Sequence, residues 1–108
     1  GRVFSHFPAP ALRNQWLILI FLINLFQVLL VFAVWYRFLS FHHPEAFSQP
    51  LGILESFYFS IVTFFTIGFG DIVPLTSFAK LLVIFEGLLA FYTVVIVING
   101  LIALKEKS

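Results

Sequence analysis

The sequence predicts an all-α membrane protein: two transmembrane helices with a shorter re-entrant helix and a polar loop between them. Three observations predict it. Of 108 residues, 61% are hydrophobic and only 10% are charged. Two apolar runs are long enough to cross a bilayer, and a third is not. The string "TFFTIGFGDIVP" at 63–74 then breaks the oily pattern with threonines, glycines, an aspartate and a proline.

The first run, residues 14–36, holds 23 residues without a charge, and a helix of about 20 suffices to cross the hydrocarbon. Within it "WLILIFLINLFQVLLVFAVWY" places Trp16, Trp35 and Tyr36 near the two interfaces. Asn24 and Gln27 share a face and are expected to point toward protein rather than lipid. The outer helix is expected at about 14–39. Next comes "SFHHPEAFSQPLG", a loop by its prolines and glycine, expected over 40–53. His42 and His43 adjoin there, but chain neighbours rarely ligate one metal well, and solvated loop residues are the expectation.

The middle run, 56–70, has 15 residues, too few to cross and return. It suits a helix that enters the membrane and stops, at about 54–65. The last run, 81–104, is interrupted by Glu86, after which 18 uncharged residues lead into "KEKS". A helix is expected at about 77–104. Arg13 before the first span and Lys105 and Lys107 after the second place both termini in the cytoplasm, with Arg37 and Lys80 opposing only modestly.

Composition excludes several functions. A net charge of +1 gives no electrostatic support for a nucleic-acid partner. Without cysteine, neither disulfides nor thiol chemistry arise. The acids outside the tail are Glu45, Glu55, Asp71 and Glu86, and no nucleophile–base pair accompanies them, so an enzyme is not expected. The absence of methionine, even at position 1, reads as a processed or trimmed piece of a longer protein. The first apolar run starts too late and runs too long for a secretory signal.

Non-helical backbone at membrane depth persists only where it is buried in protein or lines water. Residues 66–71 must therefore line something. Gly68 and Gly70 can adopt positive φ at little cost, and their alternation with Thr66, Ile67 and Phe69 can turn successive carbonyls to one side. Such a row of oxygens substitutes for the water shell of a cation. That arrangement is already known from potassium channels, so the reading is not independent of the resemblance that follows.

"TFFTIGFGD" resembles the potassium-channel signature: a threonine, two residues and a second threonine before x-Gly-aromatic-Gly-Asp. Thr63, Thr66, Gly68, Phe69, Gly70 and Asp71 match it, and the resemblance extends over about 15–104. It implies a selectivity filter at 66–71. The carbonyls of Thr66, Ile67, Gly68 and Phe69, with the Thr66 hydroxyl, would bind permeant K+, and Gly70 would close the outer mouth. No cofactor is implied beyond those ions. The 54–65 helix becomes a pore helix whose carboxyl end directs partial negative charge at a cavity. Thr63, Asp71 and Tyr58 would support the filter. One chain supplies one ladder of four, so a homotetramer in the lipid bilayer is implied.

Three departures stand out. Phe69 replaces the commoner tyrosine, Phe65 stands where a third threonine is frequent, and Val62 sits where some bacterial members carry a glutamate bonded to the filter aspartate. Asp71 then needs another partner, for which Tyr58 is the candidate. Along the inner helix, Phe91, Val94, Val95, Ile98 and Ile102 form a stripe, with Asn99 beside it, that the resemblance turns toward the cavity. The usual hinge glycine would fall at Ala90. Gly87 and Gly100 are the available glycines.

No helix with arginine at every third position is present, so no voltage sensor is expected. A cytoplasmic regulatory domain is expected, if anywhere, in the parent protein. The rival readings are a weakly selective tetrameric cation channel, half of a two-pore-domain channel, and a non-conducting membrane accessory subunit. The intact Gly68 and Asp71 count against the first, and the single loop against the second.

Overall fold

The computed structural model describes residues 9–107. Three α-helices follow in order: α1 (Ala9–His42), α2 (Ile53–Phe64) and α3 (Ser77–Lys107), with a 3-10 turn at Pro44–Ala46. Among the described residues there is no strand, only an isolated bridge between Phe47 and Pro74. The all-α class and the two long apolar helices are therefore as the sequence predicts.

The apolar stretches Asn14–His42 and Ser77–Glu106 contain 29 and 30 residues, enough to cross a bilayer. Only 17% and 11% of their most apolar windows are buried within the chain. A core helix of a soluble protein would be mostly covered. Here Ile18, Val34, Leu88 and Tyr92 stand open, a surface suited to lipid or to further helices.

Helix α1 runs past the expected 39 because nothing breaks it until Pro44. A proline disfavours helical geometry in the residue before it, and His43 accordingly leaves the helix at φ −135°. The expected loop 40–53 is thus part helix, part 3-10 turn. His43 Nδ1 lies 3.5 Å from Glu45 Oε1 there, and both side chains are solvated. Asn24 and Gln27 are exposed on the single chain, without a side-chain hydrogen bond among the described residues. They line a groove of about 600 Å³ between α1 and α3.

Helix α2 begins at Ile53, where Glu55 Oε1 accepts the Gly52 N–H at 2.9 Å. Ser56, Phe59, Ser60, Val62 and Phe64 form its buried face. That face packs on α1. The Tyr36 ring meets Phe59 edge-on with centroids 4.9 Å apart, and Phe32, Leu39, Phe47, Leu51 and Ile72 close around them. Further along, Leu29 of α1, Phe64 of α2 and Ala90 of α3 form a second cluster. Helix α3 opens with Thr76 Oγ1 accepting the Ala79 N–H at 3.2 Å, in the manner of an N-cap.

The loops on either side of α2 are fastened together. Leu75 N–H donates to the Ala46 carbonyl at 2.7 Å and Ser48 N–H to that of Val73 at 2.9 Å. Ser48 Oγ accepts from Val73 N–H at 2.9 Å and donates to the Asp71 carbonyl at 3.3 Å. Leu51 N–H reaches Ser40 Oγ at 2.9 Å. Both ends of the α2-and-loop segment are thereby held beside the end of α1.

Candidate functional site

The chain leaves α2 at Phe64, and Phe65 N–H still bonds the Ile61 carbonyl at 3.0 Å. Beyond it the backbone alternates. Thr66 has φ 58°, Gly68 φ 56° and Gly70 φ 84°, so every second residue is left-handed. The glycines adopt this conformation without a Cβ penalty. Thr66 does so as a β-branched residue, against about 1–2 kcal/mol of steric cost. Three N–H groups hold the turn in place. Thr66 donates to the Thr63 carbonyl at 3.2 Å, and Ile67 and Gly68 both donate to that of Val62, at 2.9 and 3.2 Å.

Donors are satisfied at the start of the loop, but acceptors are not. Among the described residues, no hydrogen bond ends on the carbonyl of Thr66, Ile67, Gly68, Phe69 or Gly70. All five residues are exposed on the single chain. Unpaired carbonyls at membrane depth need a polar partner. The Thr66 hydroxyl donates to the Phe65 carbonyl at 2.6 Å, leaving its own lone pairs to accept.

Tyr58, two turns back on α2, steadies the far end. Its hydroxyl donates to Asp71 Oδ2 at 2.9 Å, and its ring stacks on Phe69 with centroids 6.3 Å apart and planes 7° apart. Asp71 Oδ1 accepts the Ile72 N–H at 3.0 Å. The hydrogen bond to the Asp71 carboxylate keeps the Tyr58 phenol protonated above its ordinary range.

Phe91, Val94 and Ile98 of α3 share a cleft of about 390 Å³ with Thr66, just below the loop. Val95, Asn99 and Ile102 do not line that cleft and are exposed. Ala90, where ungapped counting puts the hinge, is packed against Leu29 and Phe64. Within the single chain, a Cβ at Gly87 or at Gly100 would meet nothing within 4 Å.

One polar cluster went unread in the sequence. Glu86 of α3 is fully buried and bonded to Tyr36 of α1 and Ser60 of α2. The available signal was the acid itself, since an ionisable group inside an apolar span must find donors.

A family described as an ion channel, Ion_trans_2, matches residues 17–106. Similar proteins include two-pore potassium channel 4 of Arabidopsis thaliana, 42% identical over 73 residues, which are 67% of this chain and 25% of that protein. Potassium channel subfamily T member 1 of Homo sapiens is 48% identical over 42 residues, 39% of this chain and 3% of that protein. The Mus musculus protein of that name is 50% identical over the same length and shares. The chain spans a quarter or less of the length of these relatives.

Proposed function

Because the chain belongs to the Ion_trans_2 family of ion channels, and so is no enzyme, we propose that it is the pore module of a potassium-selective channel. Four copies would surround one axis in the bilayer, and K+ would pass down its gradient between them. The observation that carries this reading is the row of five unclaimed carbonyls, 66–70, on a backbone that is left-handed at every second residue. Such alternation lets successive carbonyls face one side, and four such ladders offer K+ a cage of oxygens in place of water.

The other named residues fit around that row. Thr66 to Phe69 would hold the ions, Gly70 the outer mouth, and Thr63, Tyr58 and Asp71 the frame. Phe91, Val94 and Ile98 would line the water-filled cavity beneath, and Val95, Asn99 and Ile102 would continue toward the inner gate. Gly87 and Gly100 would supply the bends, with Ala90 excluded by its packing. Both termini would lie in the cytoplasm, beside Arg13, Lys105 and Lys107. A regulatory domain, if the parent protein has one, would act there.

The test is the reversal potential of the reconstituted chain under opposed potassium and sodium gradients. A potential close to the potassium equilibrium value is expected, and a value near zero refutes selectivity. The likeness to a two-pore potassium channel favours a second reading, in which this unit is one of two in a longer chain and two such chains complete the pore. Cross-linking of the reconstituted chain separates the readings: a four-membered assembly supports the first.

A further inference from the structure

Each oxygen of Glu86 is occupied. The Tyr36 hydroxyl donates to Oε1 at 2.7 Å, and the Ser60 hydroxyl lies 2.8 Å from Oε2. Ser60 Oγ is also 3.0 Å from the Leu29 carbonyl oxygen. Three unshared hydrogen bonds between these oxygens take three protons, and a hydroxyl carries one. Tyr36 and Ser60 provide two. The third belongs on the Glu86 carboxyl, which donates from Oε2 to Ser60 Oγ and leaves the Ser60 proton for Leu29. The result is a directed chain through all three helices. Among the described residues, Tyr36 and Ser60 are the side chains that bond Glu86.

Along α2 this cluster stands close to the loop. Two residues beyond Ser60 stands Val62, whose carbonyl holds the N–H groups of Ile67 and Gly68. On the other side, Glu86 immediately precedes Gly87, which has open space around it. Residues 77–86 of α3 are therefore latched to α2, and Ala90 is the last residue of the helix buried against Leu29 and Phe64, so α3 is held less closely beyond it. We propose that Glu86, as a neutral acid, is a positioning residue for conduction: it fixes the upper inner helix to the pore helix so that bending of α3 beyond Ala90 does not disturb the 66–70 ladder. The inference rests on the reading of 66–70 as the ion path.

The test uses the chain in liposomes, reading the decay of potassium flux after external potassium is lowered. Glu86→Gln preserves the pattern, because its amide oxygen accepts from Tyr36 and its NH2 donates to Ser60. It should decay within about twofold of wild type. Glu86→Leu should decay about tenfold faster, with Tyr36→Phe between the two and the assembly intact on cross-linking. Equal decay in Glu86→Leu and wild type, or in Glu86→Leu and Glu86→Gln, overturns the proposal. If Glu86→Leu fails to assemble, Tyr36→Phe decides: decay at the wild-type rate overturns it. Infrared spectra give a separate arm. A protonated-carboxyl C=O band present in wild type and missing from Glu86→Gln is expected, and its absence from wild type overturns the directed chain whether or not ions pass. A wild-type chain that passes no ion refutes the proposed function instead, and the infrared arm still decides the latch.

Discussion

Replacing Gly68 by alanine isolates the backbone contribution of the loop. Gly68 sits at φ 56°, and a Cβ built there meets nothing within 4 Å. The substitution therefore introduces no clash, only the cost of a left-handed L-residue, about 1–2 kcal/mol. In a four-fold assembly that becomes about 4–8 kcal/mol, a large part of the 5–15 kcal/mol that typically separates folded from unfolded. The strain can be relieved locally. Returning φ to negative values rotates the peptide between Ile67 and Gly68, breaks the 3.2 Å bond from Gly68 N–H to the Val62 carbonyl, and swings the Ile67 carbonyl out of the row. Thr66 tolerates the same conformation because its hydroxyl is bonded to the Phe65 carbonyl and its N–H to that of Thr63. Alanine at 68 brings no such anchor. The expected result is an assembled protein with little or no potassium flux in liposomes, checked against thermal melting of the same sample. Wild-type flux with wild-type selectivity from Gly68→Ala would mean that the 66–70 carbonyls are not the ion path.

Other perturbations read neighbouring parts. Phe69→Tyr adds a hydroxyl beside α2 and should slow the loss of flux in low potassium, while an unchanged or faster loss counts against a filter held by packing alone. Because Asp71 raises the Tyr58 phenol, their bond is complete below the ordinary tyrosine range near 10 and is lost only as pH rises through the higher folded value. Flux should accordingly be flat from about pH 7 to 10 in wild type. Tyr58→Phe should lower it throughout that range, and a flux equal to wild type would refute the support role. Asn99 is exposed rather than packed on α1, so Asn99→Asp should raise outward current and internal divalent block without loss of melting temperature. Lower melting with unchanged current would place Asn99 at a helix contact instead. Gly52→Ala sets a Cβ against Glu55 Oε1, displacing the cap bond to Gly52 N–H. It should lower stability by about 1 kcal/mol per chain, and an unchanged melting curve would show that the cap contributes nothing.

The spans were legible because charge-free length is itself the physical requirement of a bilayer, and the short middle run was legible because it fails that requirement. Helix ends were less so. Trp16, Trp35 and Tyr36 mark where a membrane surface lies, not where hydrogen bonding stops, and α1 continues to His42. In the loop, Gly68 and Gly70 announce their conformation by composition. Thr66 does not, since a β-branched residue argues against positive φ, and only the bonds around it reveal why it is tolerated. The Glu86 cluster was hidden by distance: its partners lie 50 and 26 positions away, and no periodicity links them. Ala90 was placed by counting, which cannot see that Leu29 and Phe64 close over it. Pro44, Pro50 and Gly52 spoke for a loop, but nothing in them foretold that Phe47 would pair with Pro74.

That pairing bears on the order in which a channel is built. Fastening Phe47 to Pro74 closes a ring of chain around α2 and the polar loop, within a single copy. Closing a flexible ring of about 27 residues costs about 3 kcal/mol of chain entropy. The bonds that hold it shut are intramolecular, so a single copy can close it without a neighbour. In the proposed four-copy pore, meeting copies would align as preformed bodies, and the rate of assembly should follow their surface density in the bilayer rather than a search through loop conformations. The reverse holds on dissociation: diluting the protein in lipid should release protomers whose outer loops are still closed, ready to reassociate without refolding.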